Sequence, residues 1–240
     1  MISFEELQKT PNSPAKAYIL GVLSTRITLS QLKNDKRLLI SGSISHNSQA
    51  TPNNYTDKIS SHFLDFNKLC IKYNFPIKGL MVDNNKISSF TQTNNFKNKR
   101  TSGKLGFSIY FLIPEHLKGL PKSQIISKIR ILIINMIEEI PEEYAKYFIA
   151  AMIDAKGSKD TSRGYISLDV DSNEDIRIAI ENIISKSGII NINDYQWNLR
   201  DPNKHKTIKK DQLRFKKHII FKILKEIPLL SILRKEIFEG

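Results

Sequence analysis

The stretch that decides the fold is EEYAKYFIAAMIDAKGSKD, Glu142 to Asp160. An apolar run, Tyr147 to Ile153, stops abruptly at Asp154-Ala155-Lys156-Gly157. If the run is a strand, Asp154 and Lys156 lie two positions apart and face the same side. If it is a helix, they point about 200° apart and share nothing. The alanines favour the helix. Each conformation carries a different function with it.

The chain around this stretch has 240 residues, enough for one large domain or two small ones. Its 37 Lys and Arg against 24 Asp and Glu give a net charge of +13, which favours a polyanionic partner. No run approaches the roughly 18 apolar residues of a membrane span. The opening MISFEELQKTPNSPAK has no basic segment followed by an apolar one, so no secretory signal is expected. The single Cys70 excludes an intrachain disulfide and a cysteine zinc cluster. A soluble, cytoplasmic protein that does not enter a membrane is expected.

Working outward, helices are expected at AKAYILGVLS after Ser13-Pro14, at KISSHFLDFNKLCIKY, and between Pro121 and Pro141. Alternation predicts strands at RLLISGSIS, IKGLMVD, KISSFTQT and LGFSIYFLIP. The second half reads similarly: a strand GYISLDVDS, a helix NEDIRIAIENIISKSG closed by Gly188, and a strand IININDYQWNL. A basic stretch follows, whose second part is expected to be an amphipathic helix carrying Arg214, Lys216, Lys217 and Lys222.

AKAYILGVLSTR, Ala15 to Arg26, lies over AKYFIAAMIDAK, Ala145 to Lys156, at a constant offset of 130. Each segment leads into a strand and then a helix, so an internal duplication is expected. The pair resembles the LAGLIDADG homing endonucleases: Ile149 to Gly157 matches the nonapeptide, and Ile19 to Ile27 is its first-half counterpart. That resemblance implies an α+β fold of two related halves, each running helix, strands, helix, and together forming a basic saddle over duplex DNA. The expected halves are 1–140 and 141–240, packed as one unit. It also implies two helices in contact through small residues, here Gly21, Ala150 and Ala151. The family's metal-binding acid stands at the eighth position, where this chain has Arg26 and Lys156. A cation there repels Mg²⁺, so the resemblance also allows a non-catalytic DNA-binding regulator.

The same stretch is similar to a second pattern. Pro141-Glu142, eleven intervening residues, and Asp154-Ala155-Lys156 resemble the PD-(D/E)xK signature of restriction endonucleases, which implies an α/β core. On that resemblance Asp154 and Glu142 would hold Mg²⁺, while Lys156 would orient the attacking water. Catalytic Asp154, Lys156 and Glu142 are thus expected on the strand alternative only. The overall expectation is a Mg²⁺-dependent, site-specific double-stranded DNA endonuclease of the type II restriction class, with the regulator as its rival. The chain would act as a homodimer, or as a pseudo-symmetric monomer if duplicated.

DNA contact is expected in two basic regions. One holds Lys97, Lys99, Arg100 and Lys104, and the other Arg200, Lys204, Lys206, Lys209, Lys210 and Arg214. Asp171 or Ser172 is expected to cap the helix that follows. The five histidines lack zinc-ligand spacing, and there is no glycine-rich phosphate loop.

Overall fold

The computed structural model describes residues 3–31, 38–47, 55–75, 80–83, 86–89, 104–160, 164–199 and 211–239. Within them the chain runs α1 (Phe4–Lys9), α2 (Pro14–Thr25), β1 (Thr28–Gln31), β2 (Leu38–Asn47), α3 (Tyr55–Lys72), β3 (Leu80–Asp83), β4 (Lys86–Ser89), β5 (Lys104–Leu112) and α4 (Lys122–Glu138). It then starts again with α5 (Glu142–Lys156), β6 (Gly157–Asp160), β7 (Tyr165–Val170), α6 (Glu174–Lys186), β8 (Tyr195–Asn198), β9 (Asp211–Phe215), α7 (Ile220–Glu226) and α8 (Ile232–Glu239). The strands form two separate antiparallel sheets, ordered β1-β2-β5-β3-β4 and β6-β7-β9-β8. The fold is α+β, in two halves of the same helix–strands–helix order.

The stretch at Glu142 is a helix. Pro141 stands before its first turn, and Glu142 and Glu143 place negative charge at its positive end. From Phe148 to Ala155 every side chain is buried. Its partner α2 is buried all round, begins at Pro14, and is capped by Ser13 Oγ accepting from the Lys16 amide at 3.2 Å. A helix with no polar face belongs in the middle of a core, and these two run side by side there.

The two helices are parallel. Asn12, just before α2, donates from Nδ2 to the carbonyl of Glu139, just before α5, at 2.8 Å, so their N-termini adjoin. Further along, a Cβ added to Gly21 would stand 2.3 Å from the Phe148 carbonyl oxygen and 2.8 Å from Ala151 Cβ. Only glycine permits that approach, and Ala151 is its counterpart at the offset of 130. Tyr18 of α2 and Ala145 of α5 are likewise fully buried.

The packing of the remaining elements exchanges between halves. Helix α4 packs on β1 of its own half and on α6 of the other; α8 packs on β6 of its own half and on α3 of the other. Each seam helix covers the sheet of both halves, α2 lying against β2 and β7 and α5 against β7 and β2. One hydrophobic cluster therefore runs through both halves, fed by Ile40, Ile44, Phe107 and Phe111 from one sheet and Ile166, Leu168, Leu213 and Phe215 from the other.

Four expectations are corrected. The helical state of α5 removes the strand that the PD-(D/E)xK pattern and its α/β core require. The segment around Arg214 is the strand β9, whose residues alternate buried and half-buried, and the helix after it starts only at Ile220. The cap of α6 is Asn173, whose Oδ1 accepts from the Ile176 amide at 3.0 Å. Asp171 is instead gripped by Arg130 of α4, with Nη2 at 2.8 Å from Oδ1. The alternating run before β8 is mostly a short 3₁₀ turn, Ile192–Asp194, with a strand of only four residues.

Candidate nucleic-acid interface

Asp154 is fully buried, which no solvent-facing catalytic acid would be. Its Oδ2 accepts from the Tyr18 hydroxyl and from the Leu230 amide, both at 2.8 Å, and Oδ1 accepts from the Ser231 amide at 3.3 Å. Arg234 of α8 donates from Nε to the Asp154 carbonyl at 3.4 Å. The carboxylate thus ties the segment leading into α8 to the seam between the halves.

His62 completes the cluster from α3. Because the Tyr18 proton goes to Asp154, the 2.7 Å contact between His62 Nε2 and the Tyr18 oxygen has the imidazole donating. His62 Nε2 is also 3.7 Å from Asp154 Oδ2, a separation that would suit an ion pair. However, burial, with the Arg234 charge adding to it, pushes the imidazole down to about 3, so the ring is neutral. Burial raises the Asp154 carboxyl to about 6, against the opposing pull of its three donors and of Arg234.

Glu142 opens α5 and Asp154 lies twelve residues on, about 18 Å along the axis at ~1.5 Å per residue. Lys156 points away from Asp154 by about 200°. The structure therefore does not bring Glu142, Asp154 and Lys156 together, and they cannot form the expected metal and catalytic site. Among the described residues no group of three His, Cys, Asp or Glu side chains could hold a metal ion. The two eighth-position residues carry the wrong charge for one. Exposed Arg26 ends α2, and half-buried Lys156 ends α5. The described side chains at Glu142, Asp154 and Lys156 do not come together as the Mg²⁺ site expected from sequence.

The outward faces of the two sheets differ in kind from this buried cluster. In β7 and β9 the alternation sends Ile166, Leu168, Val170, Leu213 and Phe215 to the core. The opposite face presents Ser167, Asp169, Gln212 and Arg214, and pairing places Gln196 and Asn198 of β8 opposite Arg214 and Gln212. Gln212 donates to Asp169 Oδ1 at 3.2 Å, and Arg214 Nη2 donates to Gln212 Oε1 at 2.9 Å. Arg214 Nε has no partner among the described residues. The first sheet presents Ser43 and Ser108 on its outward face, joined hydroxyl to hydroxyl at 2.9 Å. Amides, hydroxyls and a guanidinium on a sheet face turned away from the core are groups able to hydrogen-bond base edges.

Of the ten residues expected to touch DNA, Arg214 is the one whose side chain is described, and it lies on this face. Lys104 opens β5 opposite Asn47. Lys97, Lys99, Arg100, Arg200, Lys204, Lys206, Lys209 and Lys210 lie outside the described residues. Gln196, Asn198 and Gln212 were not singled out from sequence. Their signal was the polar half of the alternation in YQWN and DQLRF.

No helix among the described residues is long and apolar enough to cross a membrane. No protein-family model and no curated protein matches the chain. Among solved structures, mesophilic variants of the homing endonuclease I-DmoI are similar at 14% identity and a TM-score of 0.47, over 89% of this chain and 88% of that one. I-DmoI in complex with DNA and Mn is similar at 13% identity and a TM-score of 0.45, over 89% and 96%. Full-length DUF199/WhiA from Thermatoga maritima is similar at 14% identity and a TM-score of 0.45, over 99% of this chain and 65% of that one. These scores are too low to carry an inference about this chain, and the two-half architecture rests on its own packing.

Proposed function

We propose that the chain is a non-catalytic, double-stranded-DNA-binding protein on a LAGLIDADG-like scaffold. The observation that carries this reading is the charge at the two seam-helix ends. Arg26 and Lys156 stand where the resemblance requires metal-binding acids, and the one acid of the motif, Asp154, is buried and committed to Tyr18, Leu230 and Ser231. A metal-dependent hydrolytic site would need carboxylates, a hard cation and water in contact. The seam ends supply two cations instead.

Binding is supported by the net charge of +13 and by the polar outward sheet faces. In this proposal phosphate contacts come mostly from Lys and Arg, while Gln196, Asn198, Gln212 and Arg214 read base edges. The halves 1–140 and 141–240 serve as two related reading heads of one chain, so a pseudo-symmetric monomer covers two half-sites without a partner. A regulatory role follows, because a protein that holds duplex without cutting it acts by occupying the site.

The test is competition binding with a labelled mixed-sequence duplex against unlabelled duplex DNA, duplex RNA and single strands. Duplex DNA should compete best, and removal of Arg214 with Gln212 should weaken binding without lowering the melting temperature. Equal or better competition by RNA would overturn the choice of partner.

A further inference from the structure

We infer that the groove where α7 and α8 meet the edge strand β6 is a docking site for a short peptide segment of another protein, one with apolar anchors flanked by acidic residues. The inference goes beyond duplex binding and does not rest on it.

The groove has a volume of about 610 Å³, an ordinary size for an occupied cleft. Its apolar lining comes from Ile220, Phe221 and Leu224 of α7 and Phe238 of α8. Ile220 and Phe238 are buried and Leu224 is half-buried, so these three form a floor. Phe221 is 77% exposed and stands at the rim. A single exposed apolar side chain is ordinary on a protein surface. This one borders a concave apolar floor and has a cation four residues to either side: Lys217, in the 3₁₀ turn Lys217–Ile219, and Lys225 of α7. Residues spaced by four lie along one side of a helix.

The charge of the groove selects its occupant. Its charged lining is Lys159, Lys217 and Lys225 against the single acid Glu239. Lys159 is engaged, donating from Nζ to the Phe238 carbonyl at 3.3 Å. Lys217 and Lys225 are exposed, and neither is in an ion pair among the described residues. Acidic side chains beside an apolar anchor match this pattern: the anchors fill the floor and cover Phe221, while carboxylates meet the two lysines. The other occupants fit less of it. A nucleic-acid backbone has no apolar group for the floor, and a second copy brings the same net charge of +13. A small amphipathic acid would leave Phe221 bare and could not reach both exposed lysines, which are eight residues, about 12 Å of helix, apart. An anionic membrane surface suits apolar side chains that project, whereas three of the four here are recessed.

The groove is also separate from the polar sheet faces. Across β6 and β7, Lys159 pairs with the core residue Ile166, while Ser158 pairs with outward Ser167. Directly opposed residues share a face of the sheet. The wall at Lys159 is therefore on the core side of the second sheet, away from Gln212 and Arg214. A partner seated there leaves the outward face open.

The experiment selects phage-displayed random peptides of about 12 residues on the full chain. Enriched peptides are synthesised with a fluorophore and titrated against the wild type, Phe221→Ala, Lys217→Glu and Lys225→Glu. The peptides should carry large apolar anchors flanked by Asp or Glu. Phe221→Ala should weaken them roughly 30-fold, as loss of an interface anchor does, and each lysine reversal about 5-fold, with melting temperatures unchanged. A saturating duplex of about 30 base pairs should leave peptide affinity unchanged. No enriched peptide, enrichment of basic ones, or equal binding by Phe221→Ala would overturn the docking site. Mutual exclusion of peptide and duplex would overturn it too, by making the groove a nucleic-acid surface. So would Phe221-dependent binding to phosphatidylglycerol vesicles with no peptide selected. Peptide binding as expected by a wild type that ignores the duplex would support this inference and overturn the duplex reading alone.

Discussion

Replacing Asp154 by alanine separates the structural role of this residue from a catalytic one. The substitution removes the acceptor for three donors, the Tyr18 hydroxyl and the Leu230 and Ser231 amides, and takes a negative charge from beside buried Arg234. A buried donor left without a partner costs about 1–3 kcal/mol. Three such donors set the total at about 3–5 kcal/mol, below their simple sum because the buried carboxyl's own desolvation is recovered when it is removed. For a chain of this length that is a fall in melting temperature of about 10 °C. Urea unfolding gives the energy, and amide hydrogen exchange gives its location. Protection should drop first at Leu230 and Ser231 and through α8, because Asp154 holds that segment against the seam. An Asp154→Ala protein within about 0.5 kcal/mol of wild type, with Leu230 and Ser231 still protected, would refute the tie.

The same carboxyl gives a pH signature. Its folded value, about 6, lies above the ordinary 3.8, so the stability it contributes is full below about pH 4 and is lost as the pH rises through 6. The wild type should lose roughly 3 kcal/mol more than Asp154→Asn between those limits, read as the difference of their urea midpoints across pH. Gly21→Ala should force the seam apart, because its Cβ would meet the Phe148 carbonyl oxygen at 2.3 Å. The expected cost is about 1–3 kcal/mol by thermal unfolding, and a neutral result would show that the helices do not touch there.

The core of the fold was legible from local pattern. AKAYILGVLSTR and AKYFIAAMIDAK announce two buried helices by small and apolar residues alone, and their offset announces the repeat. The strands of β2 and β7 show in their alternation, Ile40 and Ile44 on one side, Ile166 and Leu168 on the other. The short arms β1 and β6 did not show, since GSKD has no strand propensity and is extended only by pairing with β7. DQLRF was drowned by the lysines on either side, although its buried Leu213 and Phe215 have strand spacing.

The candidate site was half legible for a similar reason. The charge at positions 26 and 156 is visible in the sequence, and it already argued against a metal. The role of Asp154 was not visible, because its partners Leu230 and Ser231 lie 76 and 77 residues away. Spacing alone let Glu142 and Asp154 pass for a hairpin pair, and a helix between them puts them at opposite ends of a rod. The outward face of the second sheet needed the pairing of β8 with β9 before Gln196 and Arg214 could be seen as neighbours.

The most direct test of the central claim is incubation of the wild-type protein with supercoiled plasmid in Mg²⁺ or Mn²⁺, followed on one gel for retardation and for strand breaks. The plasmid should be retarded by bound protein and return wholly supercoiled after the protein is removed. Nicked or linear DNA that EDTA prevents, and that persists with Asp154→Asn, would contradict the account and place a working nuclease site elsewhere in the chain.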